Sequence, residues 1–261
     1  MPQPSRPDAP GQDASAVTPV TARAHAFVED LAAPQLSSGD HHHLARVLRL
    51  EPGSLVTVGD GAGRWRAARL TAGAAVEAAG EIRADAQPRP PITVAFALVK
   101  ADRPELTVQK LTEVGVDRIV PFVAERSVVR WDAAKVARQS DRFAEIARHA
   151  AMQCRRTWLP RVESVATFDA AVALDGATMA DRDGDPPTLA RPVVLVGPEG
   201  GWSARERGAD VPRTRIGENV LRAETASISI GVLLVALRSD LVSVAGRSGA
   251  KGGQAAREAS W

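Results

Sequence analysis

Apolar residues along the chain recur with two periods, and each period predicts a different kind of element. The continuous run "ITVAFALV" (92–99) shows no polar alternation, so it suits a parallel strand buried on both faces. "ELTVQKLTEVG" (105–115) follows with helical spacing and a closing Gly115, and "RIVPFVA" (118–124) returns as a strand, giving the order β, α, β. A long helix over 132–155 gathers Val136, Phe143, Ala147, Ala150 and Cys154 on one face, with Lys135, Arg138, Arg142 and Glu145 mostly elsewhere. "PVVLVG" (192–197) is a further buried strand and "TRIG" (214–217) a short one. "AETASISIGVLLVAL" (223–237) is a helix apolar on nearly all sides, which must be buried, in part against a second subunit.

Earlier in the chain the strand-like pieces are shorter. "SLVTV" (54–58), the glycine-rich turn "GDGAG" and "RWRAARL" (64–70) predict a hairpin in a small β domain. "DAQPRPP" (85–91) is the strongest linker signal, because clustered prolines remove backbone donors and favour extended chain. The organisation expected is therefore a flexible tail over 1–20, a β domain over 21–84, a linker over 85–91, an α/β domain over 92–243 and a second tail over 244–261.

Composition narrows the function classes. With 44% hydrophobic residues the chain can build a packed core, and a net charge of only +2 means that a nucleic-acid partner must be met by local arginine clusters. The single cysteine, Cys154, excludes an intramolecular disulfide and fits a reducing, cytoplasmic setting. The N-terminal stretch lacks the pattern of a secretory signal, and no apolar run is long enough for a membrane helix. His41, His42 and His43 invite a metal, but adjacent side chains diverge on any regular element, so no metal is expected; Asp40 looks like a helix cap before them.

Two segments carry candidate chemistry. "VLVGPEGGWS" (194–203) runs from a strand into glycines and a helix start at Ser203, but it is neither G-x-G-x-x-G nor a P-loop. Glu199 disfavours a phosphate and suits a hydroxyl-bearing or cationic ligand, or else is simply solvated in a turn. "IGENVLRAETA" (216–226) places apolar Val220 and Leu221 in a loop, with Arg222 just before the buried helix and Glu224 in its first turn. Glu224 there also has the plain role of a helix-start charge, with Arg222 as its salt-bridge partner. Two irregular loops after strands of one open sheet are where α/β proteins place ligands.

These residues resemble the ribosomal RNA small-subunit methyltransferase E family of the SPOUT class. The matching stretches are "HHLARVLRL", "VTVGDGAG", "LVKADRPELTVQKLTEVGVDRIVPFVAERSVV", "VGPEGGWS" and "IGENVLRAETA", in that order. The resemblance implies a PUA-like β-barrel followed by an α/β SPOUT domain with a C-terminal trefoil knot, acting as a homodimer without metal. It implies methyl transfer from S-adenosyl-L-methionine to N3 of uridine 1498 in 16S ribosomal RNA of the small subunit. Leu195, Gly197, Glu199, Gly200 and Gly201 would line one side of the cofactor, and Ile216, Gly217, Val220, Leu221 and Arg222 the other.

Uracil N3 is a poor nucleophile until its proton leaves, so the site needs a base or a group that stabilises the anion on O2 and O4. Arg222 is the first catalytic candidate and Glu224 the second, as base or orienter. Arg46, Arg49, Arg64 and Arg66 on the small domain, with Lys100, Arg103, Arg126, Arg130 and Arg156, are candidate RNA contacts. One stretch departs from the family: "HAAMQCRR" (149–156) has His149 and Met152 where related sequences tend to carry acids. That departure motivates the alternative of a catalytically inactive ribosomal RNA-binding protein; a further alternative is a SPOUT enzyme acting on another RNA position.

Overall fold

The computed structural model describes residues 13–71, 75–99, 103–127, 129 and 131–243. Two sheets organise it. The first joins β1 (His25–Phe27), β2 (Leu55–Gly59), β3 (Arg64–Leu70), β4 (Val76–Ala78) and β5 (Arg83–Ala84). Its order is β1-β2-β3-β4, with β5 also on β3; β1 and β2 run parallel and the other pairs antiparallel. The predicted hairpin is β2–β3, and Asp60 closes its turn by accepting the Ala62 and Arg64 amides at 2.8 and 3.1 Å. Between β1 and β2 lie α1 (Ser38–His42) and a single π-helical turn, His43–Val47. Ser37, not Asp40, caps α1, because its hydroxyl accepts the Asp40 amide; Asp40 is buried and turned toward the other domain.

The second sheet is parallel throughout, in the order β12-β10-β11-β6-β7-β8 with β9 also on β7. Its strands are β6 (Thr93–Ala97), β7 (Arg118–Val123), β8 (Arg161–Val162), β9 (Ala166–Thr167), β10 (Ala177–Asp185), β11 (Val193–Val196) and β12 (Arg213–Thr214). The helices are α2 (Arg103–Val114), α3 (Ala133–Cys154), α4 (Phe168–Val172), α5 (Ala204–Arg207) and α6 (Ala223–Arg238). On β6, Val94 and Phe96 pack toward α2, α3 and α6, while Ala95 and Ala97 face α4 and Trp202. Both faces are covered, which is why the run carries no polar alternation. Helix α2 ends where Gly115 takes a φ of 101°. Helix α6 buries Ala226, Ile230 and Leu234 and brings Gly231 so close to Leu111 and Val116 that a side chain there would meet them at 3.0 Å.

The two sheets meet at the C-terminal half of α3. Arg148 donates to Asp40 at 2.9 Å and to the Phe27 carbonyl at 3.1 Å, across the seam where Ala26 and Phe27 pack on Ala151 and Met152. Burial alone would raise the Asp40 carboxyl, but hydrogen bonds from Arg148 and Ser37 hold it below its usual value. The proline-rich stretch is pinned at its start: Asp85 accepts from the Thr157 hydroxyl at 2.8 Å and from the Trp158 indole at 3.0 Å. Part of the expected N-terminal tail is also ordered. Ala14–Ala16 forms a 3-10 turn, and Arg155 donates to the Pro19 carbonyl at 3.1 Å. The expected tail over 244–261 and residues 1–12 lie outside the described residues.

Candidate functional site

Strand order reverses at β6: β7 lies on one side and β11 on the other, so the loop after β11 leaves the sheet at its switch point. A cavity of about 660 Å³ sits there. Its size is that of an ordinary small-molecule site.

One wall is the glycine-rich loop. Gly201 donates its amide to the Pro198 carbonyl at 2.8 Å with a φ of 68°, closing a tight turn. Ser203 then caps α5 in a reciprocal box with Glu206, whose buried carboxylate also accepts the Glu125 amide at 2.8 Å. Hydrogen bonds from Ser203 and then Arg205 hold the neighbouring Glu125 carboxyl below its usual value. Trp202 anchors the wall: its ring stacks on Phe122 at 6.2 Å and its indole donates to the Ala180 carbonyl at 3.0 Å. A side chain on Gly197 would strike that ring at 2.9 Å, so this glycine serves Trp202 before any ligand.

The second wall is the 216–221 loop, where Ile216, Gly217, Val220 and Leu221 all face the cavity. The third wall is Ala180–Asp183 at the end of β10, which sequence reasoning missed, as it missed Trp202 and Arg207. Only Ala177, Thr178 and Met179 are buried at the start of β10, too short an apolar stretch to announce a strand. The available signal was the change from apolar Ala177–Met179 to the polar run Asp181–Asp185 along one strand.

Of the expected cofactor residues, Gly197, Glu199, Gly201, Ile216, Gly217, Val220 and Leu221 line the cavity. Leu195 does not: strand alternation turns it to the opposite face of the sheet, fully buried beside Met179 and Phe122, while Val196 faces the cavity. Gly200 lies on the outside of the turn, its carbonyl accepting from Arg126 at 2.8 Å. Arg222 is exposed at the N-cap of α6, where its carbonyl accepts the Ala226 amide at 2.8 Å. Its guanidinium has no partner among the described residues.

The carboxylates at the mouth are joined by a residue read as an RNA contact. Arg103 donates to Glu199 at 2.8 Å and stands 3.7 Å from Glu224, bridging the glycine loop to the first turn of α6. The Glu224 side chain is 13% exposed, and its Oε2 is buried with no hydrogen-bond partner. The partner of Glu224 is thus Arg103, not Arg222.

The other arginines divide. Arg46 and Arg49 are exposed, and Arg64 is exposed but paired with Asp60 at 2.7 Å. Arg66 turns inward instead, donating to the Leu31 and Gly80 carbonyls, at 2.9 Å each, inside the small domain. Arg156 does the same: it donates to the Thr112 and Val116 carbonyls at 2.9 and 2.8 Å and faces Asp117. Burial, only partly opposed by Asp117, draws its pKa down. Lys100 and Arg130 lie outside the described residues. His149 and Met152 do not line this cavity, so their departure from acidic residues leaves it intact. No group of His, Cys, Asp and Glu among the described residues is arranged to hold a metal, and no described helix is long and apolar enough to cross a membrane.

Comparison with known proteins agrees with this architecture. A family model described as an RNA methyltransferase domain matches residues 86–235, and one described as an RNA methyltransferase PUA domain matches 38–78. Ribosomal RNA small subunit methyltransferase E of Mycobacterium tuberculosis is 34% identical, over 78% of this chain and 88% of its own length. The enzyme of the same name from Neisseria gonorrhoeae, solved bound to S-adenosyl methionine, superposes with a TM-score of 0.70 at 26% identity, covering 84% of this chain and 97% of its own. A Legionella pneumophila protein solved with the bound cofactor SAM gives 0.71 at 26% identity, covering 81% and 96%. A domain model spanning more than half of the sequence, a relative matched over most of its length and two sheets in the matching arrangement establish that the chain belongs to the ribosomal RNA small subunit methyltransferase E family.

Proposed function

We propose that the chain transfers a methyl group from S-adenosylmethionine to N3 of uridine 1498 in 16S ribosomal RNA. The observation that carries this reading is the cavity at the switch point, lined by both loops and by three carboxylates; Arg222 and Glu224 do not line it but flank the lining residue Ala223 in the chain. The residues suit the cofactor. Asp181, Asp183 and Glu199 complement a cationic sulfonium and ribose hydroxyls, while Val196, Ile216 and Leu221 offer apolar contact to an adenine. When bound, S-adenosylmethionine supplies an electrophilic methyl group on positively charged sulfur.

This chain's own residues then prepare the nucleophile. Arg222 hydrogen-bonds the uracil oxygens and stabilises negative charge spreading onto O2 and O4. Glu224 accepts the N3 proton on its carboxylate, which Arg103 holds in place at 3.7 Å. With that proton removed, N3 would hold the lone pair that methyl transfer requires.

The same reading includes a homodimer, a trefoil-knotted C-terminal segment of the SPOUT kind, and domains bounded at 21–84 and 92–243 about the 85–91 linker. Val232 on α6, with Leu241 and Val242 after it, stays exposed and supports a second copy on that face. Incubation with labelled S-adenosylmethionine and small subunits lacking the modification should place label on N3 of a single uridine. Folded protein that leaves no label there would overturn the proposal, and label on another position would redirect it.

A further inference from the structure

A second cavity, of about 720 Å³, opens on the seam between the two domains and shares no residue with the first. One side is the segment from Ser37 to Leu48 and the other is α3 from Glu145 through Arg155. Its lining is mixed in a particular way. Leu44 and Met152 are buried apolar residues, while Val47 and Leu48 are 60% and 42% exposed, apolar side chains left facing water. His42, His43 and Gln153 bring ring and amide groups that make no side-chain hydrogen bond among the described residues.

The backbone here is irregular as well. His43–Val47 is a π-helical turn, and Arg49, which is not glycine, holds a φ of 51°. Such departures cost free energy and concentrate where a chain contacts a ligand. Arg46 and Arg49 are exposed, without partners among the described residues, and flank the lining residues Val47 and Leu48 in the chain.

The charge balance favours an anion. The two lining carboxylates are already answered, Asp40 by Arg148 at 2.9 Å and Glu145 by Arg142 at 3.0 Å. Arg155 is held by carbonyls, those of Pro19 and Arg23 at 3.1 Å each, so its charge remains uncompensated. Apolar faces, unused edge donors and acceptors, and cations at the rim describe the needs of one unpaired nucleotide. A protein side chain would fill the apolar floor and leave the cations unanswered.

We propose that this seam cavity receives an unstacked nucleotide of the RNA substrate, other than the methylated one, with its base against Leu44, Val47 and the histidines and its backbone on Arg46 and Arg49. The proposal rests on RNA being the methyl acceptor. It makes the seam a reader of RNA conformation, separate from the site of chemistry.

Steady-state methylation of small subunits by the cofactor-saturated full chain tests it, using Val47→Asp and Leu48→Asp, both at exposed positions on the cavity. Each variant should raise KM for the RNA substrate about tenfold, well within the worth of one stacked base, with cofactor affinity unchanged by calorimetry. An unchanged KM in both variants would overturn the inference, as would a KM rise matched by an equal loss of cofactor affinity. Wild-type protein that transfers no label sinks the methyltransferase reading alone. The cavity is then judged by fluorescence anisotropy with a short RNA: tighter binding of the single strand than of its duplex, lost in Val47→Asp, supports it, and equal binding by wild type and variant rejects it.

Discussion

The two loops that form walls of the switch-point cavity are built on opposite plans. The 197–203 wall is tied down on every side: Trp202 is 5% exposed and stacked, Gly201 closes a turn, and Ser203 sits in a capping box. The 216–222 wall is held mainly at its ends. Val220 is 81% exposed, Gly217 has nothing within 4 Å of where a side chain would begin, and Arg222 is unpaired. The first wall is therefore a preformed support. The second is a surface whose side chains are free to meet a ligand.

This difference is open to test by substitution, and the largest effect belongs to the rigid wall. Trp202→Ala should cost about 3–5 kcal/mol and lower the melting temperature by roughly 10 °C, because it removes the anchor shared by β10, β7 and α4. A thermal melt close to wild type would show that the wall is not held by this ring. Arg222→Ala should act in the opposite way, with kcat falling about 100-fold or more while the melting temperature stays put. If turnover survives, Arg222 has no part in stabilising the anion.

Smaller changes sharpen the contrast. Gly197→Ala pushes a methyl group into the Trp202 ring and should destabilise by about 1–3 kcal/mol, read as a shift in denaturant midpoint. Arg103→Met cuts the link between the walls. The ion pair is partly exposed, so cofactor affinity should weaken by no more than about fivefold, and combining it with Glu199→Gln should add little in a double-mutant cycle. Gly217→Ala should change cofactor affinity by less than about twofold, since the added methyl group meets open space. A large loss there would mean that the second wall closes more tightly on its ligand than the open loop suggests.

Much of this site could be read before folding was known. Glu199 argued against phosphate from its charge alone, and it stands on a cavity rim facing an arginine. Leu195 was misplaced because a run buried on both faces carries no polar residue to reveal which side chains point where. The arginines failed differently. Arg66 and Arg156 look like their exposed counterparts in sequence, yet each is spent on backbone carbonyls supplied by distant segments. The Asp181–Asp183 wall escaped notice because its strand starts with only three buried residues.

By itself the sequence determined the central parallel strands β6, β7 and β11, the long helices, and the two loops that line the switch-point cavity. Periodicity, caps and glycine turns act over a few residues, so they are written locally. Tertiary structure alone decided which charges meet. Arg103 and Glu199 are 96 residues apart, and Arg148 and Asp40 are 108 apart. Charge pairing depends on distance in space, and only the packed sheets bring such partners within reach. The same packing created the seam cavity, whose two walls belong to domains that have no reason, read separately, to enclose anything.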